Sequence, residues 1–157
     1  MIVVFSVLAV LIGYPAYSFI EASINGGAKK SGNVWQVDLK ALGNFAFDEN
    51  NGTINDVPKK WRDLDGKRVQ LQGFQYAGNY AGDEIPDFQF VYNIQKCCFG
   101  GPPKVQERVF AHSDKGVPNY APQFATLTGT LHVRPKIVDG KVVSLYDLDI
   151  DSIALAQ

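Results

Sequence analysis

The sequence has few of the side chains that bind metals or titrate near neutral pH. It contains two histidines, two cysteines and one methionine among its 157 residues. It also lacks a Gly-x-Ser-x-Gly nucleophile elbow, a His-Glu-x-x-His metal pair and a phosphate-binding loop. These absences exclude the usual hydrolase, metalloprotease and nucleotide-hydrolase signatures. We therefore expect no enzymatic activity, no catalytic residue and no resident cofactor.

An excess of positive charge is also absent. The chain has 15 Lys and Arg against 16 Asp and Glu, which gives a formal net charge of −1. Sequence-independent binding of DNA or RNA depends on a basic surface that neutralises phosphates. We therefore expect no nucleic-acid partner.

Charged side chains are missing from residues 1–20, and the apolar run 2–12 is interrupted only by Ser6. Twenty residues is about the length of a membrane-spanning helix. A buried core helix is disfavoured because it would have no polar face. A cleaved signal peptide is an alternative because Ala16, Tyr17 and Ser18 form a small-x-small pattern, but no basic residue precedes the run. An uncleaved anchor is slightly favoured, so we predict that residues 1–20 are a membrane anchor or signal segment.

The rest of the chain divides into a linker and one domain. Residues 21–33 are small, polar and Gly-rich, which is typical of a flexible linker. Residues 34–157 contain alternating or β-branched runs that predict strands. These runs are 34–39, 67–76, 88–94, 105–112, 124–134 and 141–150. Residues 56–64 predict one short helix, with Asp56 as its N-cap and Pro58 in its first turn.

This pattern predicts a mainly β fold. Gly73 and Gly129 interrupt two of the longest strand-like runs, as expected where strands coil tightly. We therefore predict a small OB-like barrel of five to six strands with one short helix, preceded by an N-terminal apolar helix. A β-sandwich is the alternative.

The two cysteines are adjacent and lie where a strand-like run gives way to a Gly- and Pro-rich loop. This candidate binding or docking loop consists of Cys97, Cys98, Phe99, Gly100, Gly101, Pro102 and Pro103. Three interpretations stay open for the cysteines: buried packing, a vicinal disulfide or a metal site. A vicinal disulfide would be strained, because adjacent Cα atoms lie about 3.8 Å apart and disulfides usually span about 4.4–6.8 Å. A zinc site would need Cys97 and Cys98 to converge with His112 and His132, the only imidazoles.

Two further groups have both a structural and a functional interpretation. Asp147, Asp149 and Asp151 alternate along one strand, so they form a solvated face or, less often, a cation site. Aromatic residues concentrate around the predicted strands at 67–76 and 88–94, and we expect most of them to be core, with ligand stacking as the alternative. They are Tyr76, Tyr80, Phe88, Phe90 and Tyr92.

Several segments together resemble a bacterial family of exported proteins, domain of unknown function 3299. They are Leu64 to Val69, Gly73 with Phe74, Cys97 to Pro103, Leu127 to Leu131 and Leu145 to Leu148, and the match covers about residues 56–153. The resemblance implies an OB-type barrel located in the cell envelope, and some members are similar to parts of ABC-transporter operons or to metal-regulated envelope proteins. Many members carry a histidine two residues after the cysteine pair, where this chain has Gly100. A metal role that depends on that histidine is therefore not implied.

Two functional hypotheses follow. The first is a membrane-anchored, extracytoplasmic (periplasmic) OB-like binding or adaptor module with an envelope protein as partner. Its orientation is taken from the resemblance, because Lys29 and Lys30 after the apolar run weakly favour a cytoplasmic domain. The second is a metal-handling or thiol-redox protein centred on Cys97 and Cys98.

Overall fold

The structure, a computed structural model, describes residues 26–76, 82–94 and 101–156. Its strands are β1 (Ala28–Ser31), β2 (Val34–Val37), β3 (Lys67–Tyr76), β4 (Glu84–Val91), β5 (Arg108–Pro118), β6 (Phe124–Val138) and β7 (Lys141–Leu155). Two short helices, α1 (Leu39–Leu42) and α2 (Lys59–Arg62), and two 3₁₀ turns (Ile54–Asp56 and Val105–Glu107) complete the described part. The mainly β fold is confirmed. No helix within these ranges is long and apolar enough to cross a membrane, and the predicted apolar helix at 1–20 lies outside them.

The seven strands form one sheet in the order β1-β2-β3-β4-β5-β7-β6. Strand β3 also pairs with β6, so the pairings run around a ring from β3 through β4, β5, β7 and β6 back to β3. Strands β5 and β7 are parallel, and the other neighbours in this ring are antiparallel. The hairpin β1–β2 lies outside the ring and joins it through a short parallel pairing of β2 with β3.

Strand β3 organises both parts of the molecule. Its alternation buries Val69 and Leu71 and leaves Gln72 exposed. Its first half pairs with β2 through Val37↔Leu71, whereas its end pairs with β4 from Phe74↔Val91 onward. Gln72 therefore lies between the two pairings, where the edge of β3 has neither neighbour.

The core is a single cluster inside the ring that extends to both helices. Trp61 of α2, Leu42 of α1 and Tyr146 of β7 are among its largest fully buried side chains. The Tyr146 hydroxyl donates a hydrogen bond of 3.3 Å to the carbonyl oxygen of Leu42, and burial raises the pKa of this tyrosine. The bond satisfies a polar group that would otherwise be buried at a cost. It ties α1 to the ring.

The predicted helix at 56–64 is partly wrong. Asp56 ends a 3₁₀ turn instead of starting a helix, because its carboxylate accepts hydrogen bonds from the Thr53 amide (2.8 Å) and hydroxyl (2.9 Å). Helix α2 begins only after Pro58. A second helix, α1, was not predicted, and the Asp38 carboxylate caps it by accepting a hydrogen bond of 2.8 Å from the Lys40 amide.

All six predicted strands are present, but two begin at different residues: β4 is Glu84–Val91 instead of 88–94, and β5 is Arg108–Pro118 instead of 105–112, because Val105–Glu107 forms a 3₁₀ turn. Residues 28–31, which have the composition of a linker, form β1 because they pair along β2 in a hairpin. Gly73 pairs with Ala125 in regular register, and a side chain there would collide with the Val91 carbonyl oxygen. Gly129 does lie at a register shift, between β6 and β7.

Candidate functional site

The cysteine loop predicted from the sequence lies mostly outside the described residues. Cys97, Cys98, Phe99 and Gly100 fall in the gap 95–100, so their proposed pairing or metal binding stays a prediction. Gly101 and Pro102 are exposed and Pro103 is half-buried, just before the 3₁₀ turn at Val105–Glu107. The structure describes only the end of this loop.

His112 lies on β5 between two carboxylates. Its Nδ1 is 2.6 Å from a carboxylate oxygen of Asp87 on β4, and its Nε2 is 3.1 Å from one of Asp114. The hydrogen bond to Asp87, followed by that to Asp114, raises the pKa of His112. Because the ring is exposed, its protonated form is stabilised in contact with solvent instead of being held in a closed site.

His132 lies on β6, on the other side of β7. Its Nε2 is 3.0 Å from a carboxylate oxygen of Asp149, which is the strand partner of His112. The two histidines therefore flank β7, and each is paired with a carboxylate. Among residues 26–76, 82–94 and 101–156, no three or more His, Cys, Asp or Glu side chains are grouped so that they could hold a metal ion.

The three aspartates of β7 have separate partners. Asp147 accepts a hydrogen bond of 3.3 Å from the buried Ser144 hydroxyl, and Asp149 contacts His132. Asp151 forms an ion pair of 2.8 Å with Arg68 of β3. The row is thus a hydrogen-bonded outer surface, as its structural interpretation predicts. We name the surface formed by Asp87, His112, Asp114, His132 and Asp149 the His–Asp face.

A second surface was not predicted from the sequence. An open groove of about 1180 Å³ lies where the β1–β2 hairpin meets β3 and the ends of β4 and β6. It is lined by Gly27, Ala28, Lys29, Lys30, Trp35, Gln36, Val37, Asp38, Leu39, Lys40, Gln70, Gln72, Tyr92 and Phe124. We name it the hairpin groove. Its residues come from four distant parts of the chain, so no local motif marks it.

The hairpin groove combines aromatic rings with positive charge. The Lys30 ammonium lies 5.9 Å from the centre of the Trp35 ring, a cation–π distance. Phe124 is 41% exposed and packs edge-on against Phe74, with ring centres 5.0 Å apart. Three lysines line the groove against one carboxylate, that of Asp38, which already caps α1. The groove is therefore cationic.

The aromatic cluster predicted from the sequence divides between core and surface. Phe88 and Phe90 are buried, as expected for core residues. Tyr76 is exposed, and Tyr92 is half-buried and lines the hairpin groove. Tyr80 lies outside the described residues.

Comparison with known proteins adds a fold but no activity. Neither the protein-family models nor the curated proteins gave a match. Among solved structures, the chain is similar to the crystal structure of a DUF3299 family protein from Pseudomonas aeruginosa PAO1. The TM-score is 0.52 at 17% sequence identity, covering 76% of this chain and 74% of that chain. The resemblance found in the sequence is thus confirmed at the level of the fold: this chain is built like a DUF3299 family protein.

Proposed function

We propose that this chain is a membrane-anchored, extracytoplasmic binding or adaptor module built on an OB-like barrel. The observation that carries the proposal is the order of the five ring strands, with consecutive antiparallel pairs and one parallel pair between β5 and β7. An OB fold is a five-stranded, partly open Greek-key barrel whose outer surfaces bind extended ligands. No recognisable catalytic motif accompanies it in the sequence.

The binding surface in this proposal is the hairpin groove. In OB folds the face of the second and third strands commonly binds oligonucleotides or oligosaccharides. Here those strands are β4 and β5, and their outer side carries the carboxylates of Asp87 and Asp114 around His112. Such an acidic surface repels phosphates, so this face is not suited to nucleic acid. The hairpin groove offers exposed aromatic and cationic groups instead.

The location can be tested with fusions to the C-terminus of the full chain. We expect an alkaline phosphatase fusion to be active in a bacterial host and a green fluorescent protein fusion exported by the same route to be dark. We also expect carbonate washing to leave the protein in the membrane fraction. Deletion of residues 1–20 is the control and should abolish phosphatase activity. A fluorescent fusion with inactive phosphatase would contradict the extracytoplasmic location, and release by carbonate would contradict the anchor.

The metal-handling or thiol-redox hypothesis for Cys97 and Cys98 is tested separately. Intact mass and thiol counting, on protein purified without reductant, distinguish a disulfide from two free thiols, and elemental analysis detects zinc. Two free thiols without metal would contradict both forms of this hypothesis. That result would leave the binding-module proposal unchanged.

A further inference from the structure

We propose that the hairpin groove binds an acidic, extended segment of a partner protein, which adds as a strand to the free edge of β1. The inference rests on the proposed binding function and names its ligand class. It depends on three features of the described residues: an edge strand with unused backbone groups, lysines beside that edge, and aromatic rings in the adjoining groove.

The first feature is the edge itself. Within the described part of the chain, β1 lies at the end of the sheet order and pairs only with β2. The Asp38 amide donates a hydrogen bond of 2.7 Å to the Gly27 carbonyl oxygen, so these opposed residues form a hydrogen-bonded pair. Because such pairs alternate along an antiparallel ladder, the backbone N–H and C=O groups of Lys29 and Ser31 also point towards β2. The backbone groups of Ala28 and Lys30 consequently point towards the free edge.

The start of β1 is fixed in position by contacts with the two helices α1 and α2. Gly27 has a φ of 96° and approaches Ala41 and the Trp61 ring so closely that a Cβ would collide with Ala41. The Lys60 ammonium donates a hydrogen bond of 2.8 Å to the Gly26 carbonyl oxygen. The start of β1 is thus held against the core, so a strand that binds its edge meets a preformed template. Preformed edges lower the entropic cost of strand addition.

The second feature is charge. Lys29 and Lys30 are exposed on β1, and Lys40 lines the same groove. Lysines on an edge strand also protect it from pairing with unselected strands. A strand with glutamate or aspartate opposite these lysines is instead attracted, because opposite charges on neighbouring strands stabilise their pairing. The groove therefore favours an acidic segment over a neutral or basic one.

The third feature is the floor of the groove. Trp35 and Phe124 line it with partly exposed rings, and Gln36, Gln70 and Gln72 also line it. Neighbouring residues of a strand point to opposite faces, so Lys30 lies on the face of its partner Trp35 and Lys29 on the face of Gln36. An added peptide that alternates valine with glutamate places its carboxylates beside one of these lysines and its apolar side chains on the other face. Strand addition supplies affinity through the backbone, and such pockets supply specificity.

The test is calorimetric titration of the full-length protein, in detergent micelles, with a short peptide that alternates glutamate with valine. Three further ligands are compared: the same peptide N-methylated at every backbone amide, so that neither edge can donate, a lysine–valine peptide, and a sulfated oligosaccharide. We expect only the acidic peptide with its free backbone to bind, and added salt to weaken it. Quenching or a shift of Trp35 emission should accompany binding, because the second tryptophan, Trp61, is buried.

A charge-reversed variant locates the site. Lys29→Glu/Lys30→Glu should weaken acidic-peptide binding about tenfold or more, equivalent to about 1.4 kcal/mol. The matched control, Lys136→Glu/Lys141→Glu, makes the same charge change on exposed residues of the β6–β7 hairpin and should bind like the wild type. Equal weakening of both variants would overturn the location.

The remaining outcomes separate this inference from the proposed function. Equal binding of the N-methylated peptide would overturn strand addition. Binding of the oligosaccharide alone would overturn the peptide ligand and leave a binding module. Absence of binding by every ligand would overturn the inference, while the location tested by the fusions would stand independently.

Discussion

The His–Asp face and the hairpin groove lie on the same sheet but differ in charge and in origin. The His–Asp face is acidic and is built from β4, β5, β6 and β7, all members of the ring. The hairpin groove is cationic and depends on β1 and β2, which the ring does not include. A chain with a net charge of only −1 is therefore polarised. The comparison teaches that a hairpin outside the ring can carry a charge opposite to that of the ring's own surface.

The largest effect is expected where a substitution breaks the ring and both surfaces with it. Gly129→Ala places a Cβ within collision distance of the Asp149 carbonyl oxygen and the Leu148 side chain. We expect the free energy of unfolding to fall by about 3 kcal/mol, the upper part of the usual range for overpacking. Urea denaturation followed by circular dichroism measures it. A loss below about 1 kcal/mol would mean that β7 moves aside easily and would contradict a close packing of Gly129 against Asp149.

A smaller and local effect is expected at the hairpin. Gly27→Val combines a collision with Ala41 and a backbone conformation that side chains rarely adopt. We expect a loss of about 1–3 kcal/mol. Hydrogen exchange should show β2 and β1 amides losing protection while β6 and β7 keep theirs. Gly140→Ala, at a positive φ with open space around it, is the control for backbone strain alone. Uniform loss of protection would contradict the separation of hairpin and ring.

The presence of every ring strand follows from the sequence, whereas that of β1 in the hairpin does not. Strand β3 was predicted residue by residue, because Val69 and Leu71 alternate with polar residues and both are buried. β1 contains two lysines and a serine, so its composition resembles a linker. It becomes a strand through its partner β2 and through the packing of Gly27, neither of which a local pattern encodes.

The candidate sites show the same limit. The sequence marks His112 and His132 as unusual residues, but it cannot show that Asp87, 25 positions before His112, pairs with it. It also cannot join Trp35, Gln72 and Phe124 into one groove, since their contact depends on the pairing of β3 with both β2 and β6. Of the residues of the His–Asp face, the sequence singled out only His112, His132 and Asp149, and their partners and the groove required the topology.

The His–Asp face should show a pH dependence that comes from the raised pKa of His112. Asp87→Asn removes the main cause of the raised pKa of His112 and should lower that pKa, as measured by NMR titration of the ring protons. Because the folded pKa is raised, the contribution to stability is complete below the unfolded value of about 6.5 and is lost as pH rises through the folded value. Asp63→Asn, at the residue after α2, is the control and should leave the pKa of His112 unchanged. An unchanged pKa in Asp87→Asn would contradict the pairing.

The smallest effect is expected for the ion pair between Arg68 and Asp151. Both side chains are about half exposed, at 48% and 43%. We expect Arg68→Ala to lower the free energy of unfolding by less than about 1 kcal/mol, because solvent screens exposed pairs. Urea denaturation at low and high salt measures it. A larger loss, independent of salt, would assign Arg68 a packing role across the strands.

The most direct test of the account is to map the acidic peptide on the protein by NMR. Amide shifts of the isotope-labelled full-length protein in detergent micelles are recorded as the glutamate–valine peptide is added. The account predicts that the changes concentrate on Ala28–Ser31 and on the groove residues Trp35, Gln72 and Phe124. Changes concentrated on Asp87, His112 and Asp149 would place the ligand on the His–Asp face and contradict the account.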